Sequence, residues 1–154
     1  IVTGLVGSEM CIRDSIAIAA GVVEGQNLGD SARAATIARG YTEINRLAVA
    51  LGGKEETLSG LSGMGDLLLT CNSKTSRNFS LGIKLGQGLS VNEATNNLSS
   101  VAEGMYSARA IDKLSNKLGV DMPITNAVND LIERNRSLDE IIDDLLSRPL
   151  KKEK

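Results

Sequence analysis

Asp66 and the run Ser76-Arg77-Asn78 are the residues whose types and spacing could do chemistry in this chain. They lie in one stretch, residues 60–82. It opens on glycines at 60, 63 and 65, passes through the apolar run Leu67-Leu68-Leu69, and continues as Asn72-Ser73-Lys74-Thr75-Ser76-Arg77-Asn78. Ser76 is a good N-cap for a helix starting at Arg77, because its hydroxyl can accept from a first-turn N–H. That first turn offers unsatisfied N–H groups and a partial positive charge. Lys74 and Arg77, beside hydroxyls and an amide, complete a cradle for a small anion. A carboxylate paired with such a cradle suits a substrate bearing both hydroxyls and a phosphate. The same residues also suit a plain helix–loop–helix connection with solvated side chains, and spacing leaves both readings open. Leu67 to Leu69 is too brief for an ordinary amphipathic helix and reads as a buried segment.

Composition removes much of the remaining chemistry. The chain has no histidine, which excludes Ser-His-Asp and Cys-His catalysis, histidine metal sites and histidine proton shuttles. Cys11 and Cys71 are far apart, make no metal spacing, and point to a reduced, cytoplasmic chain. A net charge of -2 and 2% aromatic residues leave neither a basic footprint nor a stacking platform for nucleic acid. The apolar run Ile16 to Val23 is too short to span a bilayer. No P-loop is present, and no G-x-G-x-x-G follows a strand and opens a helix. The glycines at 60, 63 and 65, and those at 82, 86 and 88, read as helix punctuation. Asp143-Asp144 and Glu55-Glu56 read as solvated faces.

The elements that must hold these residues are helical. At 154 residues, with 42% hydrophobic and 23% charged residues, the chain is one globular domain. Residues 1–15 form an atypical N-terminal segment. Ile1 to Gly7 reads as strand or loop, and Ser8 to Asp14 resembles translated sequencing-adapter read-through, which would put the natural start near Ser15 or Ile16. The competing reading is an ordinary helix start. Ile16 to Val23 is apolar on all sides and fits a buried helix or strand equally. Asp30 is an N-cap candidate for a long amphipathic helix through Ala34, Ile37, Ala38, Tyr41, Ile44, Ala48 and Leu51, ended by Gly52-Gly53. Its alanines suit close packing on another helix. Ser90 to Glu93, Ser100 to Glu103 and Ser137 to Glu140 are capping boxes. The second opens a helix carrying Ala102, Met105, Ala108, Ile111, Leu114 and Leu118. Pro123 suits a first helical position, with Ile124, Ala127, Val128, Leu131 and Ile132 facing inward. Ile141, Ile142, Leu145 and Leu146 line the last helix, closed by Pro149. No stretch after residue 29 alternates with period two, so the domain is all-α, built of roughly six to eight helices over residues 16–148, with a solvated tail at 149–154.

Five segments in order are more specific than any of these features alone. They are Ile16-Ala-Ile-Ala-Ala-Gly21, Gly63-Met-Gly-Asp-Leu-Leu-Leu-Thr-Cys71, Ser76-Arg77-Asn78, Val101-Ala-Glu-Gly104 and Met122-Pro-Ile-Thr125. Together they resemble the C-terminal domain of bacterial NAD(P)-dependent glycerol-3-phosphate dehydrogenase over about residues 16–148. The resemblance implies a multi-helix substrate-binding domain of the 6-phosphogluconate dehydrogenase C-terminal-like type. It further implies an N-terminal Rossmann domain, not contained here, that binds most of the NAD(P)H. The implied reaction interconverts dihydroxyacetone phosphate and sn-glycerol 3-phosphate, feeding glycerophospholipid synthesis. By motif, Asp66, Ser76, Arg77 and Asn78 would bind the substrate, and Arg77, Val101 and Glu103 would approach the cofactor. Thr70 would line the site or serve as a buried hydroxyl. The family's general acid/base lysine falls where this chain has Arg13, and arginine stays protonated and cannot relay a proton. The fragment alone is therefore expected to be inactive. The resemblance leaves open whether two copies pair as a homodimer. The rival class is a non-enzymatic helical module that binds a small anion or a partner helix.

Overall fold

The computed structural model describes residues 2–54, 61–96, 102–133 and 136–147, with side chains described for 12–54, 63–96, 105–133 and 136–146. Within them run eight helices: α1 (Val2–Gly25), α2 (Asp30–Ala50), α3 (Leu61–Asn72), α4 (Arg77–Gly86), α5 (Val91–Thr95), α6 (Ala102–Leu118), α7 (Pro123–Glu133) and α8 (Leu138–Ser147). No strand occurs among the described residues, so the all-α expectation holds.

α1 is the axis of the bundle. Every residue from Ser15 to Val23 is buried, as an all-round apolar helix requires. It packs against α2, α3, α4, α6 and α7, most extensively against α4. Helix extends back to Val2, which corrects the strand-or-loop reading of residues 1–7. Once the buried part of α1 has formed, each added residue gains a hydrogen bond without a new nucleation cost.

The α1–α4 crossing rests on four glycines. A Cβ added at Gly21 or Gly25 would collide with the carbonyl oxygen of Phe79 or Ile83, and one at Gly82 or Gly86 with that of Ile18 or Val22. Gly82 lies inside α4, not at its end, so its role is backbone contact rather than punctuation. Gly63 and Gly65 likewise lie within α3.

Capping follows local chemistry. Ser76 caps α4, accepting from the Phe79 N–H at 3.3 Å. The boxes at Ser90–Glu93 and Ser137–Glu140 are reciprocal. The box at Ser100–Glu103, the segment 55–60 and Pro149 lie outside the described residues. α2 is capped by Gly29 at φ +94°, not by Asp30. Asp30 instead occupies the first helical position and pairs with Arg33 at 3.0 Å. At its other end Gly52 takes φ +86°, and the Gly53 N–H donates to the Ala48 carbonyl at 2.8 Å, a Schellman closure.

The buried face of α2 is Thr36, Ile37, Gly40, Glu43, Ile44, Leu47 and Ala48. Ala34 and Ala38 are exposed, so close approach comes through Gly40 against Ile16 rather than through the alanines. Leu118 and Leu146 are also exposed. Glu43 is 1% exposed and caps α7 from across the bundle. Its carboxylate accepts from the Ile124 N–H at 2.6 Å, the Thr125 N–H at 3.2 Å and the Thr125 hydroxyl at 3.0 Å. Burial raises its pKa from 4.5 to about 7, against the pull of those three donors and of Arg46.

Candidate active site

α1 and α3 bring residue 13 and Asp66 together. Arg13 Nη1 lies 3.3 Å from Asp66 Oδ2. The Arg13 side chain is 20% exposed and the Asp66 carboxylate 61% exposed, so the pair sits at the surface with the carboxylate facing outward. Leu67 and Cys71, one turn apart, bury the opposite face of α3 in the core that also holds Ile12 and Ile16 of α1. That shared core fixes the depth at which residue 13 meets Asp66. Burial pushes the Cys71 thiol up to about 12, despite the nearby Arg13 charge, so it stands as a neutral thiol beneath the pair.

The reading of Leu67 to Leu69 as a buried segment is corrected. The run lies mid-helix, and Leu67 alone of the three is buried, while Leu68 and Leu69 are 45% and 68% exposed. The Thr70 hydroxyl donates to the Asp66 carbonyl at 2.7 Å, a helical back-bond.

The loop 73–76 then delivers α4. Ser73 and Thr75 share a hydroxyl–hydroxyl bond of 2.6 Å, and the Ser80 hydroxyl donates to the Lys74 carbonyl at 2.7 Å. The loop is thus tied to itself and to the first turn of α4. Arg77, exposed, and Asn78, half-buried, occupy that first turn. Of the hydroxyls available to an anion there, those of Ser73 and Thr75 are engaged with each other, and Ser76 is spent on its cap. What reaches an incoming anion is therefore the helix N-terminus with Arg77 and Asn78.

Arg13, Asp66, Ser76, Arg77 and Asn78 all fall on α1, α3 and the start of α4, three mutually packed elements. Val101 lies outside the described residues. Glu103 belongs to α6, with its side chain outside them. Sequence reasoning overlooked Glu43, whose signal was its position on the inner stripe of α2 between Gly40 and Leu47. Among the described residues no group of three or more His, Cys, Asp or Glu could hold a metal ion, and no helix is long and apolar enough to cross a membrane.

The model of the NAD-dependent glycerol-3-phosphate dehydrogenase C-terminus matches residues 5–143. The chain belongs to that family. It is 51% identical over 142 residues to the glycerol-3-phosphate dehydrogenase [NAD(P)+] of Zymomonas mobilis, covering 92% of this chain and 42% of that protein. With the corresponding protein of Caulobacter vibrioides it shares 49% identity over 151 residues, or 97% of this chain and 46% of the relative. The chain thus spans less than half the length of the curated relatives it matches. The crystal structure of glycerol-3-phosphate dehydrogenase from Coxiella burnetii superposes with a TM-score of 0.86 at 40% identity, covering 92% of this chain and 44% of that one. A yeast glycerol-3-phosphate dehydrogenase, at 24% identity and a TM-score of 0.79, shares the fold. The match begins inside α1 and includes position 13.

Proposed function

We propose that this chain is the substrate-binding half of an NAD(P)-dependent glycerol-3-phosphate dehydrogenase that interconverts dihydroxyacetone phosphate and sn-glycerol 3-phosphate, supplying glycerophospholipid synthesis in the cytoplasm. The observation that carries it is the contact of residue 13 with Asp66 beside the capped first turn of α4. A site for a hydroxylated phosphate needs those parts together: a carboxylate for hydroxyls, a proton carrier, and a cationic helix start for the phosphate. The free thiol of Cys71 agrees with a reducing compartment.

Bound NAD(P)H supplies the hydride. The residues present fit one edge of such a cofactor. Arg77 on the first turn of α4 offers a cationic lip, while no strand among the described residues could open a dinucleotide turn. In this reading the α4 N-terminus, Arg77 and Asn78 hold the phosphate of the substrate. Asp66 accepts from a substrate hydroxyl and orients the side chain at position 13. The carbonyl oxygen gains negative charge as hydride arrives and needs a proton. Lysine at position 13 could deliver it and be reprotonated. Arg13 can stabilise the charge but stays protonated and completes no relay.

The test is turnover of NADH that depends on dihydroxyacetone phosphate. The 154-residue chain alone should show none. A full-length chimera, with the N-terminal half of a relative preceding this chain and Arg13→Lys introduced, should turn over. The same chimera keeping Arg13 should be slower by about 10²–10⁴-fold, the usual weight of a general acid. A folded, NADH-binding Arg13→Lys chimera that gives no turnover, or that binds inorganic phosphate with no dehydrogenase activity, would instead make this a non-enzymatic anion-binding module.

A further inference from the structure

The outer side of α3 carries two leucines that the fold leaves uncovered. Leu68 and Leu69 are 45% and 68% exposed, while Leu67 and Cys71 on the inner side are fully buried. Leu69 lies one helical turn after Asp66, so it stands next to that carboxylate on the surface. An exposed apolar pair flanking a polar site marks a place where something docks.

We infer that Leu68 and Leu69 are the seat of the cofactor-carrying half of the full-length enzyme, on the reading of function given above. Three observations select that occupant. Hydride transfer demands that the nicotinamide touch a substrate held at Asp66 and residue 13, so whatever carries the cofactor must cover the exposed side of α3. The relatives offer the necessary mass, since this chain accounts for 42% and 46% of two of them and matches a C-terminal model. Finally, α1 runs on from Arg13 back to Val2, about 16 Å at the usual helical rise. Chain preceding α1 therefore joins it beyond the residue-13 end of the site. A second copy of this chain could also cover two leucines, but it would supply no cofactor at Asp66.

The experiment compares hydrogen–deuterium exchange of residues 63–72 in the 154-residue chain and in the Arg13→Lys chimera, with and without Leu68→Ser/Leu69→Ser. Expected is protection of the segment in the chimera relative to the chain alone, lost in the double variant. NADH affinity should stay within about twofold, and kcat/KM should fall by about tenfold or more through misplacement of the two halves. Matched melts and the milder Leu69→Ala variant separate docking from misfolding. Equal exchange in chain and chimera overturns the inference, as does a double variant that keeps both protection and rate. So does protection that appears in the chain alone with rising concentration, because sedimentation would then show a second copy on this face. The exchange readout does not depend on turnover, so an inactive chimera that still protects residues 63–72 would sink the enzymatic reading while leaving the docking face standing.

Discussion

At the scale of single residues, Arg77 and Glu43 illustrate opposite kinds of legibility. Arg77 was readable because a serine before a polar run names a helix start, and a planar guanidinium there suits a phosphate. In the Arg13→Lys chimera, Arg77→Ala should cost about 2–5 kcal/mol of a desolvated charge-assisted contact, or on the order of 30- to several thousand-fold in kcat/KM. Arg77→Lys should rescue poorly, since a point charge does not reproduce two parallel bonds. Steady-state kinetics of both variants, with matched melts, check this, and near-normal efficiency in both would leave Arg77 as helix surface. Glu43 was not readable, because a glutamate on an inner stripe carries no mark of the helix it will cap 81 residues later. Its folded pKa is raised from 4.5 to about 7. The folded protein thus holds a proton that the unfolded chain releases, and the stability this contributes is full below about 4.5 and lost as pH rises through about 7. Melting temperature followed from pH 4.5 to 8 should carry this falling component. Glu43→Gln should flatten it and lower stability by about 1–3 kcal/mol, since an amide cannot accept from all three donors. A variant with an unchanged pH profile would show that another group sets the slope.

At the scale of elements, helix ends were legible and helix contacts were not. Ser76, the boxes at Ser90 and Ser137, and Pro123 each carry their partner within three or four residues, so the signal is local. The buried side of a glycine depends on a helix distant in sequence, which is why Gly82 and Gly86 read as punctuation. The two kinds of glycine make a paired prediction. Gly82→Ala drives a methyl into the Ile18 carbonyl and the Gly21 backbone and should cost about 1–3 kcal/mol or more. It should also move Ser76, Arg77 and Asn78 away from residue 13, raising KM for the phosphate substrate in the chimera beyond what the stability loss explains. Gly65→Ala meets nothing within 4 Å in mid-helix and should stabilise the isolated chain by about 0.5–1 kcal/mol. Urea melts of the two variants decide the matter, and a neutral Gly82→Ala would mean that α1 and α4 can separate freely.

At the scale of the whole molecule, α1 feeds two cores. Ile12, Ile16, Ala17 and Ala20 join one, with α2, α3 and Met122. Ile18, Ala19 and Val22 join the other, with α6, α7 and α8. Because consecutive residues of one helix serve both, neither core can open without withdrawing α1 from the other. Ile16→Ala and Ile18→Ala should each cost about 2–5 kcal/mol and shift one common transition seen by circular dichroism and by exchange. Two separated transitions would show that the cores melt independently. The all-round burial of α1 was visible in Ile16 to Val23, but no pattern in the sequence told which residue turns toward which core. The same burial has a consequence during synthesis. α1 is made early, and its closest partner α4 leaves the ribosome only after Gly82, 61 positions beyond Gly21. At ordinary elongation rates that is a delay of roughly 3–12 s. Throughout it the most apolar helix of the nascent chain stands without its glycine-faced partner, an obligate client for whatever holds unfinished chains in solution.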